Sequence, residues 1–468
     1  MPISQNKPWR LRSDISSENK PWRSRSDISS ENKSSLSKIL SISIPAAFKH
    51  LLDMLQVLID LIMIGSLGVA ALAAIGLGLQ FIMVLNVVMT LYVVGGNAVI
   101  SRHIGSGRLH RANIVFFNLL ILALFLSMFA LLIGYIGAEQ FYIWMGTGED
   151  VAKLGALYFG TLSLGMPLIF LDALFFNALS AAGKTQASLY IKIASAMLNV
   201  LLNYTLIFGN FGFDPMGIKG AAIATIISYG FNVLVYFLLV SKASSVLHFY
   251  AYFSLASMKS IFKIGIPASL ERFISVGSFM IFVLVITKYG TEALAGYQVG
   301  LRVEGLAFMP GFGFSIAAMA LVGQSLGAKN SDLANHEAIT VTKIAAGFMG
   351  FVGLFLIFIP EFFCQFFTQD EKTIELASLY LRLVGISQVP LAVVFVLSGA
   401  LRGAGATKTT LKINVGSMFL LRVLPAIFVS TITDDIFWIY IVMITETFIK
   451  GGLFWYVFSQ GKWKSIKI

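Results

Sequence analysis

The chain has 468 residues, of which 57% are hydrophobic and only 12% are charged. Because soluble domains carry about 25% charged residues, this composition excludes a protein whose entire surface faces water. The formal net charge is +11, but the Lys and Arg residues lie in separate loops and not on one face, which argues against nucleic-acid binding. A single cysteine, Cys364, excludes an intramolecular disulfide.

The first 38 residues predict a disordered cytoplasmic arm. This stretch is charged and rich in Ser, and it contains a short duplication in which NKPWR occurs at Asn6 and again at Asn19. It has no apolar run of the kind that a signal peptide requires. An alternative is that Trp9 and Trp22 bind the membrane surface or a partner protein.

Long apolar runs after the arm predict membrane-spanning helices. Helices are expected because each segment must satisfy its own backbone hydrogen bonds across roughly 30 Å of hydrocarbon. The alternating pattern of a membrane barrel is not seen in the sequence. Twelve spans are predicted, near residues 42–64, 75–101, 113–137, 151–180, 188–209, 217–241, 261–288, 297–324, 338–360, 373–401, 411–433 and 436–459.

Basic and acidic loops alternate along the chain, and this alternation predicts the topology. Arg102, Arg108 and Arg111 mark one basic loop, whereas Glu149 and Asp150 lie in an acidic loop. Because loops that stay in the cytoplasm are enriched in Lys and Arg, both termini are predicted to be cytoplasmic. This arrangement requires an even number of spans, as counted.

The two halves of the chain are copies of one unit. An offset of 222 residues relates Pro45 to Pro267 and Gly105 to Gly327. A parallel repeat places two bundles around an axis along the membrane normal, with a cavity between them, as in transporters that work by alternating access. The predicted fold is therefore an all-α polytopic membrane protein with twelve transmembrane helices in two six-helix bundles. Its parts are an arm at 1–38, bundles at 39–241 and 261–459, a cytoplasmic linker at 242–260 and a basic tail at 460–468.

Four segments resemble the multidrug and toxic compound extrusion (MATE) family, bacterial type. They are SIPAAFKHLLDMLQVLIDLIMIGSLGVAALAA, LNYTLIFGNFGFDPMGIKGAAIAT, RVEGLAFMPGFGFSIAAMALVGQSLGA and ALRGAGATKT. The resemblance extends from Ile39 to the C-terminus. It implies export of organic cations and other amphipathic compounds, driven by inward movement of protons or sodium ions through the inner membrane of a bacterium. A monomer without a cofactor, powered by the ion gradient alone, is expected.

Asp60 is the leading candidate for ion coupling. Its repeat partner is Phe282, so the duplication does not account for it. It follows Pro45 by 15 residues, about 22 Å along a helix, where a carboxylate is costly unless it is paired, solvated or protonated. The family's first-helix acid has a VDxxxxG-like context, here IDLIMIG, and the resemblance carries the coupling role onto Asp60. The alternative is an acid that neighbouring polar groups satisfy.

Three polar residues are expected to accompany Asp60. Asn199 and Asn203 are four residues apart and share one helix face, and Thr225 lies on the next span. They are predicted to hydrogen-bond Asp60 or to line an ion site; helix packing by the asparagines is the alternative. The archaeal-type pattern of the family has an acid in place of Asn203. One negative charge fewer favours protons, although sodium at the coupling site stays open.

Glu271, Glu304 and Gln298 are candidates for contacting a cationic substrate. Arg272 and Arg302 stand close by in sequence, so local salt bridges are an equal alternative for the two acids.

A sodium site in the second half is not favoured. The sodium-coupled bacterial branch of the family has an acid where this chain has Ser275, and another near the position of Leu391.

Other intramembrane charges are expected to be structural. Asp53 follows Lys49 by four residues, which predicts an ion pair on one helix face. A structural or topological role is also predicted for Arg422, Glu446 and Lys450. The cavity is predicted to be lined by adaptable apolar side chains, since thioethers and aromatic faces accept many cations: Met63, Met83, Met89, Phe279, Met280, Met309 and Phe312.

Other functions fit less well. The segment Ala182-Gly183-Lys184-Thr185 resembles a phosphate loop, but Ala178 replaces its first glycine, and the histidines have no metal-binding spacing. An enzyme or an ATP-driven pump is therefore not expected. A flippase for lipid-linked precursors is an alternative within transport, but it would need a cationic cavity. A membrane scaffold or receptor acting through residues 1–38 is the alternative from another class.

Overall fold

The computed structural model describes residues 25–243 and 245–466, with side chains from Leu36 onward except that of Leu79. Every regular element in these ranges is a helix, which confirms the predicted class. Residues 25–38 of the predicted arm form the start of the first helix, so the prediction of disorder is wrong there. Residues 1–24 lie outside the described residues, and their disorder stays a prediction.

The first half contains seven α-helices, which form six spans, and a short 3-10 helix at Asn210–Gly212. The α-helices are α1 (Arg25–Gly65), α2 (Val69–Gly105), α3 (Leu109–Trp144), α4 (Glu149–Ser163), α5 (Met166–Ala181), α6 (Thr185–Phe208) and α7 (Gly217–Ser241). Helices α4 and α5 form one broken span with a bend of 55°. Pro167 in the first turn of α5 lacks an N–H, so the hydrogen bonding of α4 cannot continue through it.

The second half contains eight α-helices, a π-helix and a short 3-10 helix at Lys462–Ser465. Before the 3-10 helix come, in chain order, α8 (Leu255–Thr287), α9 (Thr291–Gly327), α10 (Ser331–Phe358), α11 (Pro360–Cys364), α12 (Glu371–Gly403), α13 (Thr407–Ser417), the π-helix Met418–Val423, α14 (Leu424–Val429) and α15 (Phe437–Ser459). The stretch Thr407–Val429 forms one span. Pro425 cannot donate to the carbonyl of Leu421 and its ring crowds that group, and the wide π turn accommodates both effects.

The spans agree with the predicted twelve. Ten helices are long and apolar enough to cross a membrane, and α4 with α5 makes an eleventh span among the described residues. The twelfth, α1, has a less apolar composition because Lys49, Asp53 and Asp60 lie in its last 18 residues.

The connection between the halves is shorter than the predicted 242–260. Helix α8 begins at Leu255, before the predicted start at 261, because the Ser254 side chain accepts a hydrogen bond from the Ser257 backbone and caps the helix.

The repeat is visible in the contacts between the halves, because equivalent helices of each half pack against equivalent helices of the other. Helix α1 packs against α9, and the repeat-related α8 packs against α2. Gly105 lies against the carbonyl of Gln324, and Gly327 lies against the carbonyl of Arg102. These two contacts are equivalent under the 222-residue offset, and a Cβ at either glycine would collide with the facing carbonyl. The pseudo-twofold axis between two bundles is confirmed.

Most hydrogen bonds between the two halves lie on one side of the molecule. We call it the basic face, and it carries Arg108, Arg111, Lys184 and Lys329. The contact between α2 and α8 extends to the middle of the molecule, where the Ser269 hydroxyl donates to the Val87 carbonyl at 2.7 Å. Past this bond, toward the opposite side, the described residues form no hydrogen bond between the halves. The interface is therefore closed on the basic face.

Candidate ion-coupling site

Asp60 lies at the contact between α1 and α6, as predicted. The Asn203 side-chain amide donates to Asp60 Oδ1 at 2.6 Å and also approaches Asn199 Oδ1 at 3.3 Å. Both asparagines are fully buried, whereas Asp60 is half-buried. Asp60 forms no salt bridge with any described residue. The result is an intramembrane carboxylate held by a neutral donor and partly open to its surroundings.

Two further polar atoms of this site lack hydrogen-bond partners within the ranges that the structure describes. Asn199 Nδ2 and Asn203 Oδ1 are buried without a hydrogen-bond partner among the described residues. Thr225 is half-buried and forms no side-chain hydrogen bond to Asp60 in the described part of the chain. The structure thus brings together Asp60, Asn199 and Asn203, and it leaves Thr225 outside their hydrogen-bonded set.

A second polar network precedes Asp60 on the same face of α1, nearer to the start of the helix. Lys49 and Asp53 form the predicted pair at 2.8 Å, and Lys192 of α6 approaches the other oxygen of Asp53 at 2.9 Å. Lys192 also donates to Gln56 Oε1 at 2.5 Å. Both lysine side chains are less than a tenth exposed. Since Lys49, Asp53, Gln56 and Asp60 are spaced by four, three and four residues, they form one polar stripe along α1.

Glu271 lies inside the second half and not on an open cavity. Arg402 approaches Glu271 Oε1 at 2.5 Å, Asn414 donates to the same oxygen at 2.6 Å, and Thr410 donates to Oε2 at 2.9 Å. The residue is 4% exposed. The alternative of a salt bridge with Arg272 is wrong, because the partner is Arg402. Because the residue is buried and three donors hold its two carboxylate oxygens, Glu271 is not open to a substrate cation in this conformation.

The other acids of the second half are also held by partners. Tyr380 donates to half-buried Glu304, and the predicted alternative of a bridge to Arg302 is wrong. Glu446 is fully buried between Arg422 and Lys450, at 2.7 Å from each, and these ion pairs agree with the structural role predicted for the three residues. Arg422 also lies 5.9 Å from the ring of Phe282, the repeat partner of Asp60. Under the repeat, the position of Asp60 in the first half is therefore occupied in the second half by Phe282 with the cation Arg422 beside it.

The predicted cavity residues do not form a single lining in this conformation. Met83 and Met280 are about half exposed, and Gln298 is exposed. Met89 is only 8% exposed and belongs to the apolar core of the first half, which differs from the prediction. The remaining four predicted residues are half-buried: Met63, Phe279, Met309 and Phe312. The ring of Phe312 packs against that of Phe395 in its own half, with 4.7 Å between the ring centroids.

Lys192 is the main residue that sequence reasoning missed. It interrupts the apolar run of α6, and its repeat partner is Asn414, so the comparison of the halves that selects Asp60 selects Lys192 as well. Arg402 directly follows the predicted span 373–401, and only the fold brings it to Glu271. Among the described residues no cluster of three or more acid, His or Cys side chains is arranged to hold a metal ion.

A parallel repeat of six spans, arranged as two bundles, is the architecture of a membrane transporter. Within that class, the chain belongs to the MatE family. The family model matches residues 45–205 and 267–428, one match in each half.

Known relatives agree with this assignment over nearly the whole chain. A probable multidrug resistance protein NorM from Thermotoga maritima is 28% identical over 434 residues, covering 91% of this chain and 93% of the relative. A MOP superfamily transporter from Pyrococcus furiosus has a TM-score of 0.86 at 20% identity, covering 92% of this chain and 96% of that chain. An outward-facing multidrug resistance MATE transporter gives 0.85 at 21% identity, covering 91% and 96%. The two structures establish the fold.

Proposed function

We propose that this protein is a proton-coupled antiporter that exports organic cations and other amphipathic compounds across the inner membrane of a bacterium. The observation that carries the proposal is the Asp60 carboxylate, which has an amide donor at 2.6 Å and no cationic partner among the described residues. The relatives named as multidrug resistance proteins support the substrate class. The clustering of Arg and Lys on the basic face supports a cytoplasmic location for that face and for both termini.

Protons suit this site better than sodium ions. A sodium ion needs several oxygen ligands around one point, and an N–H group of Asn203 already points at Asp60 Oδ1. A proton needs only one free carboxylate oxygen. When Asp60 binds a proton, its negative charge is lost and the charge-assisted bond to Asn203 weakens. The contact between α1 and α6 then rearranges, and bound substrate is released outward before the halves close on that side.

The direct test is ethidium efflux in everted membrane vesicles under an imposed pH gradient. Asp60→Asn keeps the shape of the side chain but cannot take up a proton, so the gradient-driven rate should fall at least tenfold. Asp214→Asn is the matched control, because Asp214 is an exposed acid between α6 and α7 and should transport at the parent rate. An Asp60→Asn variant that transports at the parent rate disproves the coupling role.

A further inference from the structure

Two repeat-related side chains cross the interface on the basic face. Arg102 at the end of α2 donates through Nη2 to the Ala404 carbonyl at 3.3 Å. Gln324 at the end of α9 donates through Nε2 to the Ala181 carbonyl at 2.7 Å. Each acceptor belongs to the last turn of a helix in the opposite half, where carbonyl groups have no partner in their own helix.

The crossing side chains occupy equivalent places in the two halves. Arg102 and Gln324 are related by the 222-residue offset, as are the glycines at which α2 and α9 approach most closely. Separation of the halves on this face would leave both carbonyls and both donors without partners until water reached them. Opening on this face therefore costs these two hydrogen bonds, in addition to the ion pair between Lys38 and Glu337 that also joins the halves there.

We propose that Arg102 and Gln324 are the gate residues of the basic face and hold the two halves closed there. The proposal goes beyond the ion and the substrate: it rests on the proposed alternation between two conformations, but on neither proton coupling nor drug binding. The positive charge of Arg102 gives its side of the gate the stronger contact, since helix carbonyl ends favour a cation.

The segment that follows α15 strengthens the Arg102 side of the gate. Arg102 Nη2 also donates to the Ile466 carbonyl at 2.8 Å. Gly461 adopts a φ of 69°, which reverses the chain after α15. Trp463 is 3% exposed, stacks on Phe458 at 4.7 Å and donates to the Phe458 carbonyl at 2.8 Å. The segment 461–466 is thus anchored to the second half and holds an arginine of the first.

The gate is tested by the reactivity of a cysteine placed beneath it. Ser101 is fully buried and lies against Gly323 of the opposite half. In a Cys364→Ala background, Ser101→Cys is labelled with a membrane-impermeant maleimide on purified protein in lipid nanodiscs. No gradient or drug is present, so failure of this test is separate from failure of the proposed function.

Arg102→Ala should raise the labelling rate about tenfold, because lost hydrogen bonds to a charged donor shift the closed–open equilibrium by at least that factor. Gln324→Ala should raise it about fivefold. Arg108→Ala is the matched control: it removes the same charge from an exposed side chain of the same face and should leave the rate unchanged.

Trp463→Ala provides a variant that leaves every gate side chain in place. It should release segment 461–466 and raise the labelling rate by a smaller factor than Arg102→Ala. If Arg102→Ala does not yield folded protein, Gln324→Ala and Trp463→Ala decide the outcome. Parent rates in both variants, or an equal rise in Arg108→Ala, overturn the proposal.

Discussion

Asp60 and Glu271 are both acids inside the membrane, but their surroundings give them different roles. Asp60 has one neutral donor among the described residues and partial exposure, which suits the proton exchange proposed for it. Glu271 has a guanidinium, an amide and a hydroxyl as donors and is buried. A carboxylate that is fully satisfied in this way holds helices together. We therefore expect Glu271 to contribute to stability.

This expectation is tested with a double-mutant cycle. Arg402→Met leaves the Glu271 carboxylate buried with neutral donors only and should cost about 3 kcal/mol. The double variant Arg402→Met with Glu271→Gln removes the stranded charge and should recover much of that loss. The measurement is the thermal unfolding of the purified variants in detergent. A double variant no more stable than Arg402→Met would show that Glu271 is not held by Arg402.

The sequence indicates which intramembrane acids are unusual more reliably than it indicates which side chains contact them. Asp60 with Asn203 was predicted because an isolated intramembrane acid needs a polar neighbour, and few were available. The partner of Glu271 was not, because Arg272 is next to it in sequence. Adjacent residues point about 100° apart on a helix and do not meet, whereas Arg402 reaches Glu271 from 131 residues away.

At the scale of the helices, breaks in regular structure follow from proline. The bend between α4 and α5 and the π-helix before α14 each adjoin a proline without an N–H to donate. The spans themselves were predicted from apolar length. The breaks within them were not, because neither the size of a bend nor the choice of a π turn is fixed by the presence of proline.

The close approach of α2 and α9 depends on glycine at position 105, which has no side chain to separate the two helices. Gly105→Ala should destabilise the closed form, because the added Cβ would collide with the Gln324 backbone, and should lower the unfolding free energy by about 1–3 kcal/mol. Gly76→Ala is the matched control on the same helix, where a Cβ meets nothing within 4 Å and helix propensity improves. The comparison is made by thermal unfolding in detergent. Equal stability of the two variants contradicts the required contact.

At the scale of the whole molecule, a symmetric fold carries asymmetric chemistry. The repeat, the twelve spans and the two bundles were predictable because a duplicated sequence imposes them. The distribution of charge between the bundles departs from that symmetry: the first has an unpaired acid where the second has Phe282 beside Arg422. This difference places the proposed coupling in the first half alone.

Proton coupling through Asp60 is tested by measuring ethidium transport by purified protein in proteoliposomes under separately imposed proton and sodium gradients. We predict that a pH gradient drives transport without sodium, that a sodium gradient at equal pH does not, and that Asp60→Asn removes the response to pH. Transport driven by sodium at equal pH, or an unchanged pH response in Asp60→Asn, would show that Asp60 does not couple transport to protons.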